Sequence, residues 1–285
     1  MPHPLVTRFA PSPTGLLHKG HAYSALAAHE LARRRGGRFL LRIEDIDPTR
    51  CTRENAENIF EDLAWLGLTW EEPVRFQSEH LADYDDAAAD LRARGLLYPC
   101  FCTRVEIQRE IERAGRAPHG SEGPLYPGTC RRLTGSEREA RLSSGTPYAM
   151  RLDLGAALAA TGSGLFWDDV KHGRIAARPE RLGDAVIVRK DIGTSYHLAV
   201  VVDDALQGVT EIVRGEDLLE ATHLHRVLQE LLGLPVPVYH HHPLLTDEAG
   251  RRLAKRDRSA TLRSLREAGT SPAELRRELG FDDGG

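Results

Sequence analysis

The chain has 285 residues, 41% of them hydrophobic and 28% charged; this excludes a disordered chain or a coiled coil and provides a core for one large or two ordinary domains. With 38 basic against 42 acidic side chains the formal charge is −4, so a nucleic acid would have to be met by local basic clusters rather than a whole-chain positive field. No run approaches the roughly 18 apolar residues of a membrane span, and the opening Met-Pro-His-Pro-Leu-Val-Thr-Arg lacks the apolar stretch of a secretion signal; a cytoplasmic protein with no membrane partner is expected.

In chain order, Leu5 to Phe9 predicts a short strand, halted by Ala10-Pro11-Ser12-Pro13-Thr14-Gly15, whose two prolines and glycine cannot continue it. Ala22 to Arg35 has helical apolar spacing and ends at Gly36-Gly37; Phe39 to Ile43 is apolar except for Arg42, as a strand covered on both faces should be. Helices follow at Arg53 to Leu66 and Leu81 to Arg94. The alternation predicts an α/β fold, a Rossmann-like doubly wound parallel sheet. Between Pro99 and Arg178 glycine, proline and serine become frequent and cysteines cluster, the mark of an insertion. Strand-like runs return at Ala185 to Arg189, His197 to Val202 and Val209 to Val213, with a helix over Leu218 to Leu232. The divisions are 1–98 and 179–245 for two halves of one domain, 99–178 for the insertion, and 246–285 for a basic loop with a short helical segment.

The strongest local signal is His18-Lys19-Gly20-His21, between the proline loop and a helix. A helix N-terminus offers free N–H groups and a positive dipole end, which suit a phosphate chain. Two imidazoles can donate to phosphate oxygens and stabilise departing pyrophosphate, while Gly20 lets a flat base approach the backbone. Arg8, Ser12 and the run Glu44-Asp45-Ile46-Asp47 converge on the same C-terminal sheet edge, where ligands sit in open α/β folds. Cys100, Cys102 and Cys130 supply three soft ligands for zinc; on chemistry alone His119 is an attractive fourth. Cys51 is left over, and the adjacent His240, His241 and His242 point in different directions, so satisfied or solvated roles are expected for them.

Taken together, Arg8-Phe9-Ala10-Pro11-Ser12-Pro13-Thr14-Gly15, His18-Lys19-Gly20-His21, Arg42-Ile43-Glu44-Asp45-Ile46-Asp47, Leu198 to Asp204 and Val209 to Leu218 resemble the catalytic domain of class I glutamyl-tRNA synthetases. The resemblance implies that His18, Gly20 and His21 bind ATP, and that Arg8, Arg214 and Tyr196 hold the side-chain carboxylate of L-glutamate. It further implies that Glu44 with Ser12 holds the ammonium, with Ala10 in the same binding set. The late Lys-Met-Ser-Lys-Ser loop of that family corresponds to Arg252-Leu253-Ala254-Lys255-Arg256, which departs at four positions but keeps Lys255 for the phosphates. Lys19 also departs, adding a positive charge near the phosphate site.

Only about thirty residues follow Lys255, too few for an anticodon-reading module of ~50 or more. This and the Cys-x-Cys with Tyr-x-x-x-Cys arrangement match a short branch of the family that esterifies the queuosine base of tRNA(Asp). In that branch Tyr126 would be the fourth ligand beside Cys100, Cys102 and Cys130. The implied substrates are L-glutamate, ATP with Mg2+ and tRNA(Asp) carrying queuosine, with one Zn2+ in the insertion and a monomeric protein. The alternatives are a truncated synthetase charging the 3′ end of tRNA(Glu) or tRNA(Gln), a small-molecule nucleotidyltransferase, and a noncatalytic zinc-containing RNA-binding module.

Overall fold

A computed structural model describes residues 4–113, 119–120, 123–162, 164–245 and 260–281. The elements run β1 (Val6–Phe9), α1 (Lys19–Arg34), β2 (Arg38–Ile43), α2 (Arg53–Trp65), β3 (Glu71–Phe76), α3 (Leu81–Ala93), β4 (Leu97–Cys100) and α4 (Arg104–Arg113). They continue with β5 (His119–Gly120), β6 (Gly123–Pro124), α5 (Gly135–Ser143), β7 (Ala149–Leu152), α6 (Leu154–Thr161), β8 (Phe166–Asp169), β9 (Gly173–Ala176) and β10 (Val186–Val188). The last are α7 (Tyr196–Leu206), β11 (Glu211–Gly215), α8 (Leu219–Leu231), β12 (Val238–His242), α9 (Leu262–Glu267) and α10 (Pro272–Glu278).

Parallel strands β1, β2 and β3 pair in that order, and β11, β12 and β8 form a second parallel run with β9 antiparallel at its edge. The two runs meet where Thr210 N–H donates to Val6 O (3.0 Å) and Val6 N–H donates to Thr210 Oγ1 (2.9 Å). The resulting order, β3-β2-β1-β11-β12-β8, is the expected doubly wound layout, and its switch point lies between β1 and β11. Parallel strands leave their C-terminal ends on one edge, so Arg8, Glu44 and Arg214 arrive there together.

Three expectations are corrected. His197 to Val202 lies in helix α7, not a strand: Ser195 caps it by accepting from Leu198 N–H. Leu198 to Asp204 are all buried, so a helix apolar all round carried no amphipathic period and its valines looked strand-like. The strand over Ala185 to Arg189 does not rejoin the main sheet; β10 pairs antiparallel with β7, which pairs with β4. Conversely β8 and β9, from the stretch read as insertion, extend the main sheet beyond β12.

One core fills the space between the first strands and α1, α2, α9 and α10 around Leu26, Ile43, Ile59, Leu63, Leu262 and Leu275. A second packs the antiparallel sheet against α3, α7 and α8 around Tyr84, Leu152, Ile187, Leu198 and Leu224. Among the described residues no helix is long and apolar enough to cross a membrane.

Candidate active site

At the phosphate end, His18 is the N-cap of α1. Its Nδ1 accepts from Gly20 N–H (3.1 Å), while His21 Nδ1 accepts from His18 N–H (3.2 Å). With both Nδ1 atoms used as acceptors, each neutral ring carries its proton on Nε2, and the rings lie side by side with centroids 3.8 Å apart. A Cβ on Gly20 would stand 3.0 Å from His18 Cε1, so any larger residue here would press on the His18 ring. The extra charge of Lys19 is met elsewhere, by an ion pair with Glu278 on α10. Thr261 bridges to His18, and Leu262 N–H donates to Leu17 O (2.9 Å), so the chain after residue 259 returns beside this motif. Arg252 to Arg256, Lys255 included, lies outside the described residues.

At the other end of the cleft, Arg8 donates from Nε to Asp204 Oδ1 (3.0 Å) and from Nη2 to Oδ2 (3.3 Å). Arg42, fully buried, donates to Asp204 (2.8 Å), Gln207 (3.0 Å) and Glu44 (3.2 Å). Burial raises the Asp204 carboxyl, but the Arg8 and Arg42 guanidinium groups outweigh it and hold Asp204 below the usual carboxylate range. For Glu44 the balance reverses: burial pushes its carboxyl up in spite of Arg42 and Arg8. Asp45 and Asp47 from the same run are occupied by Ser78 and by Thr49 with Arg189. Ser12 is exposed beyond β1, and Ala10 is half-buried beside it.

Arg214, only 5% exposed, has a different environment. Its Nε donates to His241 Nε2 (3.1 Å), Nη2 to Thr222 Oγ1 (2.6 Å) and Nη1 to His225 Nδ1 (3.4 Å). Every one of these partners is neutral, and among the described residues no carboxylate lies within ion-pair distance of Arg214. Tyr196 stands edge-on to His197 and His225. Burial pushes its phenol up to about 12, with Arg214, Glu44, Arg8 and Asp204 all acting on it; these five groups therefore share one site. Of the residues expected from the sequence, Arg8, Glu44, Tyr196 and Arg214 lie together here, beside Arg42, Asp204, His241, Thr222 and His225, which were not expected. The lone arginine in an otherwise apolar strand was the available signal for Arg42.

Residues 4–281 match the family described as tRNA synthetases class I (E and Q), catalytic domain. The chain belongs to this family. It is 50% identical to a glutamyl-Q tRNA(Asp) synthetase of Rhodobacter capsulatus over 97% of this chain and 100% of the relative. It is 46% identical to one of Symbiobacterium thermophilum, over 98% and 87%, and 41% identical to a glutamate–tRNA ligase of Aquifex aeolicus, over 94% of this chain but 55% of the ligase. A crystal structure of a glutamate tRNA ligase from Elizabethkingia meningosepticum in complex with its amino acid superposes with a TM-score of 0.81 at 28% identity, covering 98% of this chain and 61% of that one. The chain thus spans about three fifths of that solved ligase.

The synthetase also carries the cysteine cluster. The sulfurs of Cys100, Cys102 and Cys130 lie within 4.8 Å of one another. Tyr126 Oη sits among them, 3.4 Å from Cys100 Sγ and 3.5 Å from Cys102 Sγ, and Cys102 Sγ is 3.4 Å from Cys130 Sγ. Sulfur and oxygen ligands around tetrahedral zinc lie roughly 3.5–3.8 Å apart, given metal–ligand distances of about 2.0–2.3 Å, so the four atoms fit such an ion. Burial pushes the Cys102 thiol up to about 12. Cys130 is instead lowered, because hydrogen bonds from Tyr126 and from Phe101 N–H overcome its burial. A bound zinc would hold these sulfurs as thiolates. His119, the alternative fourth ligand, falls in β5, with its side chain outside the described residues.

Proposed function

We propose that this synthetase activates L-glutamate with ATP and transfers the glutamyl group to the queuosine base at the wobble position of tRNA(Asp). The observation that carries the glutamate assignment is Arg214, a buried guanidinium whose direct partners are all neutral. A buried charge without a counter-charge is costly, and a ligand carboxylate is what would complete it. Arg8 and Tyr196 would flank that carboxylate, and Glu44 with Ser12 would take the ammonium. The queuosine assignment draws support from the glutamyl-Q relatives, which this chain matches over nearly their whole length.

In the activation step the glutamate α-carboxylate attacks the α-phosphorus of ATP in line and pyrophosphate leaves; Mg2+ accompanying ATP would supply charge neutralisation on the phosphates. The Nε2–H groups of His18 and His21, the α1 N-terminus and the Lys255 ammonium would stabilise the charge growing on the phosphates. No covalent enzyme intermediate is needed. A hydroxyl of the modified base then attacks the adenylate carbonyl; the new ester bond forms as the acyl–phosphate bond breaks, releasing AMP and the hydroxyl proton. Zinc, held by Cys100, Cys102, Cys130 and Tyr126, would serve as a structural clamp on the insertion.

Glutamate-dependent ATP–pyrophosphate exchange tests the first half, and its absence would refute the glutamate pocket. Charging of tRNA(Asp) with and without queuosine tests the second. Glutamylation should require the modified base and survive removal of the 3′ terminal adenosine. The similarity to full glutamate–tRNA ligases favours a second reading, ordinary 3′ charging, and equal charging of unmodified tRNA(Glu) would establish that reading instead.

A further inference from the structure

The two pocket arginines are held in opposite ways. Arg8 meets the carboxylate of Asp204 directly and through two donors. Arg214 meets a carboxylate only through an imidazole. Asp169, at the end of β8, accepts from Lys171 N–H (2.9 Å) and His172 N–H (2.8 Å) on Oδ1, and from His241 N–H (3.3 Å) and His241 Nδ1 (2.7 Å) on Oδ2. Both side chains are wholly buried, with 0% exposure. Because Nδ1–H points at Asp169, neutral His241 keeps its lone pair on Nε2, where Arg214 Nε–H donates. Burial and Arg214 lower the His241 pKa to about 4, against the opposing pull of Asp169, so the ring stays neutral.

The donor inventory of Arg214 then closes. Of its five N–H groups, Nε–H goes to His241, one on Nη2 to Thr222, whose hydroxyl donates onward to Leu218 O (3.2 Å), and one on Nη1 to His225. Two N–H groups remain, one on each terminal nitrogen, which leaves both nitrogens able to donate to a ligand carboxylate. A carboxylate at the position of His241 would orient the guanidinium equally well but would neutralise it and compete with the ligand. An interposed imidazole orients it without doing so.

We infer that Asp169 and His241 are positioning residues for amino-acid selection: Asp169 fixes the His241 tautomer, and His241 aims Arg214 while leaving its charge for the substrate side-chain carboxylate. This rests on the reading of Arg214 as that carboxylate's partner. Neither residue touches substrate; they act through Arg214, and discrimination between glutamate and the isosteric, uncharged glutamine depends on them.

Pyrophosphate exchange on the full chain, with glutamate and glutamine as competing substrates, tests this. His241→Gln, which keeps a neutral acceptor, should raise KM for glutamate about tenfold while kcat and KM for ATP stay within threefold. His241→Glu, which places a carboxylate on Arg214, should lower the glutamate-over-glutamine preference in kcat/KM at least tenfold, a change that loosened packing alone would not produce. If either His241 variant fails to fold, as judged by circular dichroism and thermal melting, Asp169→Asn carries the same expected rise in KM for glutamate. Folded variants with an unchanged KM for glutamate and an unchanged preference overturn the inference, provided Arg214→Gln abolishes glutamate-dependent exchange. If Arg214→Gln itself leaves KM for glutamate unaltered, the pocket reading fails and the inference falls with it.

Discussion

His241 shows how a single side chain links the pocket to the stability of the protein. It and His225 are buried, and both are held below the ordinary histidine pKa of 6.5, first by burial and then by the Arg214 charge. In the unfolded chain these rings take up protons as pH falls below about 6.5, whereas in the folded protein they resist, His241 down to about 4. The unfolded state therefore binds more protons in that interval, and the stability present above pH 6.5 is lost as pH falls. For His241 the loss amounts to about 2 kcal/mol at pH 5. Chemical denaturation at pH 7.5 and 5 should show this fall, reduced in His241→Gln; an unfolding free energy flat between those values contradicts it. None of this could be read from three adjacent histidines. Alternation along a strand sends His240 to Glu211, His241 to Asp169 and Arg214, and His242 to Ser24, but the strand itself was not recognised. Arg8 and Glu44 stood out as charged groups at strand ends, which have few structural uses, whereas Arg214 and Tyr196 came only with the family resemblance.

Elements were legible where their period was clean. α1, α2 and α3 have amphipathic faces and the first two strands lie between loop signals, so their limits came out within a few residues. α7 failed because burial on every side removes the polar stripe that distinguishes a helix, and the short strands β4, β7 and β8 take partners across long sequence separations that no local pattern encodes. The cysteine lobe illustrates the same limit. Its ligand types were plain, but what holds Tyr126 among them was not: the Arg151 guanidinium of β7 lies 3.9 Å above the Tyr126 ring, and Cys130 N–H donates to Tyr126 Oη (2.9 Å). With the phenol so fixed, the purified protein is expected to carry one equivalent of zinc by atomic absorption. Cys102→Ser should lose it, and Tyr126→Phe should release it to a competing chelator at least tenfold more readily. A Tyr126→Phe protein that resists the chelator as wild type does would exclude the phenol as a ligand.

At the scale of the molecule, one parallel sheet carries the cleft, an antiparallel sheet stands beside it, and the last two helices close the first core through Leu262 and Leu275. The tail after the basic loop is thus part of the catalytic body. α7 packs in the second core and reaches the strands of the first, and its consecutive acids share Arg42 but otherwise face different neighbours. Asp203 accepts from Arg75, Gln77 and Tyr84, while Asp204 accepts from Arg8 and Arg42. Successive helical positions diverge by roughly 100°, so a sliding motion that spares one carboxylate strips partners from the other. Removing one partner from a buried ion pair costs about 3–5 kcal/mol, a large share of the net stability of a protein. Melting in stages is accordingly disfavoured. Scanning calorimetry should give one transition in which the calorimetric and van't Hoff enthalpies agree, and two resolved peaks would refute this. Two neighbouring aspartates thereby act as a rivet of cooperativity, tying β3 and α3, which Asp203 engages, to β1 and β2, which Asp204 engages.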